Sequence, residues 1–399
     1  MEKLLQLRDE MREDLLHGSI FPFWKKYTVD EENGGFYGAV TKDFTVQKEA
    51  PKSLVLNARL LWTFAGAYRI FGDPAYKALA DRAFGYIRSH FWDAENGGYW
   101  MLNADGTVCD DTKMTYGQGF LLYAFSEYAR ATGSAEARAY ADKAYGYLER
   151  ECREGKYYLE TARGTGSGNG AITEAGNLSM NTHIHILEPM TCYFRIRHDR
   201  CVEESLVNLI EVTAREIYDA EHRHFVMFFD EKMHPLPGEI SFGHDIEGSW
   251  LLTEAAEVLE AHAADKARAK ALVEEAKRVA VRMVDFTLSR GLDADGGLFD
   301  EGHEAGASPC RTRSGGRRPR RSSAASMRGR SPATKSTSTR RGRSGHISRR
   351  RSSTARPASG SRAAEIRRTR KTRTCSAARG SAPTTTPAPR SKSASVCSK

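Results

Sequence analysis

Apolar residues recur at helical spacing through the first three quarters of the chain. In the first clear example, five large side chains share one helical face, and Gly72-Asp73-Pro74 then ends the helix. These side chains are Leu56, Leu60, Leu61, Phe64 and Tyr68. A second helix is predicted from Ala75 to Phe91, and further helix pairs at 116–131 with 134–150, 181–197 with 203–218, and 246–262 with 267–289. The pattern predicts an all-α protein built from helix hairpins.

A short turn-rich segment accompanies each helix pair, and its recurrence defines an internal repeat. Copies begin at residues 30, 93, 153, 219 and 293. Three of them contain a Gly-Gly pair, which permits the positive φ of a tight turn. Because a single helix hairpin cannot bury both of its helices, the units must pack on one another. Five units are visible, and a closed ring needs about one more.

The net charge of +9 is an average over two different parts of the chain. Residues 307–399 hold 26 Lys and Arg, a single acid, Glu365, and no aromatic residue, whereas residues 1–306 carry a net charge of −16 and every aromatic. We therefore expect a globular domain over 1–306 and a basic tract over 307–399 that cannot bury a core. No apolar run reaches the roughly 18–20 residues of a membrane span. The N-terminal segment is charged throughout, so we expect a cytoplasmic protein.

Four polar side chains occupy the same phase of successive repeats. Arg59, Tyr116, His185 and His244 each lie near the start of the first helix of a pair, at spacings of 57, 69 and 59 residues. In a ring of helix pairs, equivalent positions converge on one central cavity. Several ionisable groups directed into one pocket are what an active site needs.

Two local motifs add carboxylates and an amide to this set. Asn181 and His185 are four residues apart on one helical face, with Glu188 three residues further on, and His244 and Glu247 are also neighbours at i, i+3. A carboxylate beside an imidazole fixes its tautomer and raises its basicity, which suits general base catalysis near neutrality. Zinc ligation is the competing interpretation. The chain has no HExxH motif and the two histidine motifs are about 60 residues apart, so we expect no metal.

The strings SMNTHIHILEPMTCYFR and SFGHDIEGSWLL, with LNAR upstream, resemble the cellobiose 2-epimerases of the N-acylglucosamine 2-epimerase superfamily. The resemblance covers about residues 1–306. It implies an (α/α)6 barrel and cofactor-free epimerisation at C2 of a reducing-end sugar. In the implied mechanism, two histidines on opposite faces of C2 exchange a proton through an enediolate.

The resemblance and the repeat phase together assign roles to eight residues. His244 resembles one of the two catalytic histidines, Glu247 supports it, Arg59 stabilises the enediolate oxygen, and His185 acts in catalysis or ring opening. The residues expected to bind substrate are Asn181, Tyr116, His183 and Trp250.

The resemblance ends at about Gly306, where the composition changes. The family carries a sixth repeat with a WWPQAE-like motif and a second histidine in a CPYH-like motif, and the chain as written has neither. One set of codons for Arg313–Ala324 reads VWWPQAEAVVG from the third base. The same offset allows a TGDEKYL-like string, VDRETGEW and CPYHN further on. We therefore expect a frameshifted, disordered C-terminus and a chain that is inactive as written.

Other functions remain open at this stage. N-acylglucosamine 2-epimerisation and aldose–ketose (mannose) isomerisation also depend on proton transfer by two histidines. An inverting glycosidase needs two carboxylates about 6.5–9.5 Å apart, whereas the repeat phase offers His and Arg. The basic tract could bind polyanions, although it has no aromatics to stack on bases. We expect a disaccharide substrate, no specific nucleic acid or membrane partner, and a monomer or weak dimer.

Overall fold

The computed structural model describes residues 2–94, 96–162, 178–236 and 239–303. All of them belong to the first of two compact units, Met1–Ser331. The basic tract 307–399, the boundary predicted at 306 and the sixth repeat lie outside the described residues.

Helices dominate the described residues, and eight of them form four consecutive pairs. Two further helices come first, α1 (Glu2–His17) and α2 (Phe21–Tyr27). The pairs are α3 (Leu54–Phe71) with α4 (Pro74–Tyr86), α5 (Thr115–Thr132) with α6 (Ala135–Tyr147), α7 (Met180–Phe194) with α8 (Arg200–Val212), and α9 (Phe242–His262) with α10 (Lys266–Arg290). The predicted all-α class and all four pairs are confirmed.

The helix ends follow from local sequence chemistry. The Ser53 side chain accepts a hydrogen bond from the Leu56 amide and begins α3. Gly72 ends the same helix in the left-handed conformation, at φ 71°, which glycine adopts without a steric penalty. Asp73 then caps α4, whose first residue is Pro74. Because only these two residues separate the helices, α3 and α4 must run antiparallel.

The helices form an inner and an outer layer. Each inner helix packs on the next in chain order, α3 on α5, α5 on α7 and α7 on α9, and each outer helix packs on its own inner partner. The burial pattern separates the layers, since α5 and α7 are buried over most of their length whereas α4 and α10 each keep a polar outer face. The inner helices therefore bring their N-terminal ends to the same end of the barrel.

Short strands connect these layers. They are β1 (Lys52–Ser53), β2 (Trp92–Asp93), β3 (Gly97–Gly98), β4 (Met101–Leu102), β5 (Val108–Asp110), β6 (Arg153–Glu154), β7 (Tyr157–Tyr158), β8 (Leu178–Ser179), β9 (Tyr218–Asp219), β10 (His224–Phe225), β11 (Phe228–Phe229), β12 (Glu239–Ser241) and β13 (Glu301–His303). The pairs β2–β3, β6–β7 and β9–β10, with the single bridges Val29–Phe36 and Leu292–Leu298, confirm all five predicted hairpins.

The recurring aspartate of the hairpins has a structural reason. Asp30 accepts hydrogen bonds from the amides of Glu32 and Asn33, and Asp219 accepts them from the two equivalent residues of its own hairpin. Such a side chain closes the turn in place of backbone. Part of the repeat signal in the sequence is therefore turn chemistry.

Candidate active site

Three strands that the sequence analysis did not predict, β1, β8 and β12, lead directly into the inner helices α3, α7 and α9. Each pairs with a neighbouring strand in an antiparallel ladder, which fixes where its helix begins. Loops and strand ends of this kind commonly present functional side chains on a rigid scaffold.

The four side chains predicted from the repeat phase meet at this end of the barrel. The Arg59 guanidinium donates a hydrogen bond of 3.0 Å to the Tyr116 hydroxyl. The Tyr116 ring lies edge-on to the His185 ring, with 5.1 Å between centroids, and the His185 and His244 rings lie 6.3 Å apart at 73°. Residues separated by almost two hundred positions thus form one continuous row.

Glu247 joins the two imidazoles. One ligand-capable atom of each of His185, His244 and Glu247 lies within 4.8 Å of the others. His185 is 3% exposed, Glu247 is 7% exposed and His244 is partly buried. We refer to these three residues as the His-His-Glu cluster. Two imidazoles and a carboxylate this close together can exchange a proton or share a cation.

Each imidazole of the cluster has a partner at Nδ1. The Glu188 carboxylate lies 3.4 Å from His185 Nδ1, and Ser241 Oγ lies 2.7 Å from His244 Nδ1. Ser241 precedes α9, but its side chain bonds to the imidazole and makes no cap. With both Nδ1 atoms engaged, Nε2 is the atom that each ring presents on its other side.

Neighbouring aromatic rings orient the charged groups. The Arg59 guanidinium lies over the Phe120 ring, 4.4 Å from its centroid, which adds a cation–π attraction to its bond with Tyr116. Burial raises the pKa of Tyr116, and the nearby Arg59 partly opposes this. Burial also raises the pKa of Tyr123 well above its usual value, and the nearby Glu188 charge adds to this. Both phenols are therefore neutral at physiological pH.

Asp245 lies between the two cluster residues of α9 but faces away from them. Its side chain is 1% exposed and accepts a 2.9 Å hydrogen bond from the Phe225 amide of β10. Burial raises the pKa of Asp245 to about 8. One turn later, a Cβ at Gly248 would lie only 2.0 Å from the Phe225 ring. The GHDIEG string thus presents one face to the site and the other to the hairpin.

The predicted site residue His183 lies outside the cluster. Its Nε2 accepts a 3.1 Å hydrogen bond from the Tyr158 amide, and its Nδ1 donates to the Ser179 carbonyl at 2.7 Å. The side chain has no exposed surface, and burial lowers its pKa to about 4. With both nitrogens bound to backbone, His183 has the surroundings of a structural histidine and not of a substrate ligand.

Two further predicted residues lie near the cluster without touching it. Asn181 is partly buried, one helical turn before His185, and Trp250 is partly buried against the main core. Among the contacts of the described residues, neither makes a hydrogen bond or ring contact with the cluster. The sequence analysis placed the Glu188 carboxylate beside His185, which the structure confirms at 3.4 Å. It assigned no role to Ser241 or Phe120, although the spacing of three residues between Ser241 and His244 was visible.

The fold and site define a helical-hairpin barrel with a cluster of imidazole and carboxylate side chains at one end of its inner helices. The family model "N-acylglucosamine 2-epimerase (GlcNAc 2-epimerase)" matches residues 35–313. The chain belongs to this family.

Its relatives include the cellobiose 2-epimerase of Bacteroides fragilis, 38% identical over 309 residues, or 74% of this chain and 75% of the relative. The cellobiose 2-epimerase of Dictyoglomus turgidum is 33% identical over 74% of this chain and 75% of its own length. The solved structure of cellobiose 2-epimerase from Bacillus thermoamylovorans B4167 superimposes with a TM-score of 0.68 at 29% identity, covering 76% of each chain. In the described part of the chain, no helix is long and apolar enough to span a membrane.

Proposed function

We propose that this protein interconverts glucose and mannose at the reducing end of a β-1,4-linked disaccharide such as cellobiose. The observation that carries the proposal is the meeting of Arg59, Tyr116 and the His-His-Glu cluster at one end of the barrel. The names of the relatives support the choice of a disaccharide over an N-acylglucosamine or a free monosaccharide.

The reaction begins with ring opening. His185, whose Nδ1–H is directed at Glu188, presents Nε2 for proton exchange with the ring oxygen or the anomeric hydroxyl. The Glu188 carboxylate stabilises the imidazolium that forms when the imidazole takes up a proton. The open-chain aldehyde makes the proton on C2 acidic enough to remove.

His244 then removes the C2 proton. The C–H electron pair forms the C1–C2 double bond, and the carbonyl electrons move to O1, which gives an enediolate. The guanidinium of Arg59 stabilises the developing negative charge on oxygen, and Glu247 stabilises the protonated His244. Returning a proton to the opposite face of C2 inverts that carbon. The family resemblance places the second base in the sixth repeat, outside the described residues.

We also propose that the reading frame departs from that of the family after about residue 306. The family match ends at residue 313, and about a quarter of the relative from Bacteroides fragilis has no counterpart here. Both observations fit the change of composition at this point. Sequencing the DNA of the locus across codon 306 tests the idea, since a single-base difference should restore a WWPQAE-like string.

Incubation with cellobiose in heavy water tests the function. The chain with the restored frame should yield a mannose-containing epimer with deuterium at C2, seen by NMR. A keto-sugar product would indicate an isomerase instead. Product that forms without deuterium over many turnovers, or cleavage of the glycosidic bond, would exclude the mechanism. The chain as written is the matched comparison and should show no exchange, because it lacks the second base.

A cytoplasmic location completes the proposal. A cofactor-free reaction on a soluble sugar needs no membrane component. Fractionation of the source cells should recover the protein with cytosolic markers.

A further inference from the structure

We propose that His185, His244 and Glu247 also form a binding site for a divalent transition-metal ion of the Zn²⁺ type, and that this ion excludes the sugar. The reaction needs no metal, so the ion acts as an inhibitor. The competition with sugar rests on the proposed function, whereas the metal site stands on geometry alone.

The donor set is the first argument. Two imidazole nitrogens and one carboxylate oxygen are the ligands found in many open zinc sites, where a fourth position is left for water or substrate. The three donor atoms lie within 4.8 Å of one another, so small side-chain movements bring all of them to bonding distance of a common ion. Two of the three ligands come from one helix, α9, at i, i+3, which holds their spacing.

The groups behind the donors are the second argument. Histidines that bind metals almost always engage their other ring nitrogen with a carboxylate, carbonyl or hydroxyl, which fixes the ring and raises its basicity. Glu188 does this for His185 at 3.4 Å, and Ser241 does it for His244 at 2.7 Å. Both rings therefore present Nε2, which is the orientation that a shared ion requires.

The charge balance is the third argument. Glu188 and Glu247 bring two negative charges to the cluster, and Arg59 brings one positive charge close by. Arg59 donates to the Tyr116 hydroxyl and lies over the Phe120 ring, so its guanidinium is already engaged by these two side chains. Since His185 is 3% exposed and Glu247 is 7% exposed, water screens this net negative charge weakly, which favours a cation.

Metal binding at the cluster blocks the reaction. A metal ion on the Nε2 atom of His244 occupies the lone pair that removes the C2 proton. The sugar and the ion therefore cannot use the cluster at the same time, and apparent zinc affinity should fall as cellobiose concentration rises.

Zinc titration of the full chain against a chromophoric chelator tests the site. Because the chain holds 12 His and 7 Cys, zinc should also bind weakly at other positions. The titration therefore measures the site of highest zinc affinity. His185→Gln, His244→Gln and Glu247→Gln should each remove that class. Ser241→Ala should weaken it by about 10–100-fold, the usual effect of losing a group behind a ligand. Circular dichroism confirms that each variant keeps its helices.

The matched control is His262→Ala. His262 ends α9, the same helix as His244, and stacks on His198 with 4.2 Å between ring centroids, so it offers a competing histidine pair. The control should bind zinc as the parent chain does. Cobalt absorption should report nitrogen and oxygen ligands, without sulfur-to-cobalt charge-transfer bands.

Three results would overturn the proposal: no tight site in the parent chain, an unchanged tight site in folded cluster variants, or loss of the site in His262→Ala. A tight site that maps to the cluster but is insensitive to cellobiose would keep the metal site and contradict the sugar's proposed location. The two proposals therefore fail separately.

Discussion

Replacing His183 with phenylalanine separates a structural histidine from a catalytic one. His183→Phe keeps an aromatic ring of similar size but removes both hydrogen bonds. The Tyr158 amide and the Ser179 carbonyl lose partners that bind them at 3.1 and 2.7 Å in a fully buried position. Each unsatisfied buried group costs about 1–3 kcal/mol, so the free energy of unfolding should fall by about 2–6 kcal/mol.

Urea denaturation, followed by tryptophan fluorescence and circular dichroism, measures this loss. With an m value of about 3 kcal/mol per molar urea, the unfolding midpoint should fall by about 0.7–2 M. His185→Gln is the comparison, because it gives up ring contacts with Tyr116 and His244 and the bond from Nδ1 to Glu188, but no hydrogen bond to backbone. Its free energy of unfolding should fall by no more than about 1.5 kcal/mol, the net value of one ordinary hydrogen bond.

The pattern of results decides the role of each histidine. A His183→Phe protein that unfolds at the parent midpoint but no longer binds sugar by calorimetry would refute the structural assignment and restore His183 to the site. Destabilisation together with unchanged zinc binding would support it, since His183 is not a member of the cluster.

In the chain with the restored frame, His244→Gln should lower kcat by about 10²–10⁴-fold with little change in the urea midpoint, because it removes a general base. Steady-state epimerisation assays measure kcat. Turnover near that of the parent protein would contradict the assignment of His244 as the base. Lys52→Met should cost about 3–5 kcal/mol of stability, because it leaves Asp30 buried without the ammonium group 2.7 Å away, and adding Asp30→Leu should recover part of that loss. Burial alone would raise the pKa of Asp30, but hydrogen bonds from the Asn33 amide and Lys52, with the Lys52 charge, lower it. The contribution of Asp30 to stability is therefore present above pH 3.8, its pKa in the unfolded chain, and is lost as the pH falls through the lower pKa that Asp30 has in the folded protein. Acid denaturation should therefore be less steep in the Lys52→Met, Asp30→Leu double variant.

The sequence predicted the helix pairs well because helical periodicity and end signals agree at most boundaries. It was less accurate where the backbone changes type. Three outer helices end in a five-residue π-helical turn, at Ile87–Phe91, Leu148–Cys152 and Thr213–Ile217. The π turn continues the α-helix without a break and has no stop signal in front of it, so the predicted helix extends straight through it.

The start of α9 shows a second kind of error. The sequence predicts a helix from residue 246, whereas α9 begins at Phe242. Gly243 lowers local helix propensity, but a Cβ-free residue is tolerated there because β12 runs directly into the helix and fixes its first turn. Tertiary pairing with β13, far along the chain, decides the boundary, and no local pattern records it.

Within the site, repeat phase predicted the row of Arg59, Tyr116, His185 and His244 because the inner helices pack side by side with equivalent positions at the same end. It could not separate His183 from His185. Both belong to the same helix and are buried, and only the position of the Tyr158 amide on a neighbouring hairpin distinguishes them. The partners of a buried polar group are a tertiary property.

A polar residue on an inner helix is therefore not by itself evidence of a site. Towards the other end of the inner helices, Glu127 is 2% exposed and bonds to Arg69 at 2.6 Å, with Arg130 at 3.4 Å and the Cys192 thiol close by. Guanidinium groups stay protonated at all physiological pH values, so this network of ion pairs links α3 to α5. At the N-terminal end the carboxylates of Glu188 and Glu247 lie beside imidazoles, the side chains that enzymes use most often as general acids and bases. The same barrel interior thus holds acids that pair with arginine towards one end and acids that lie beside histidine at the other, where we propose the acid–base chemistry.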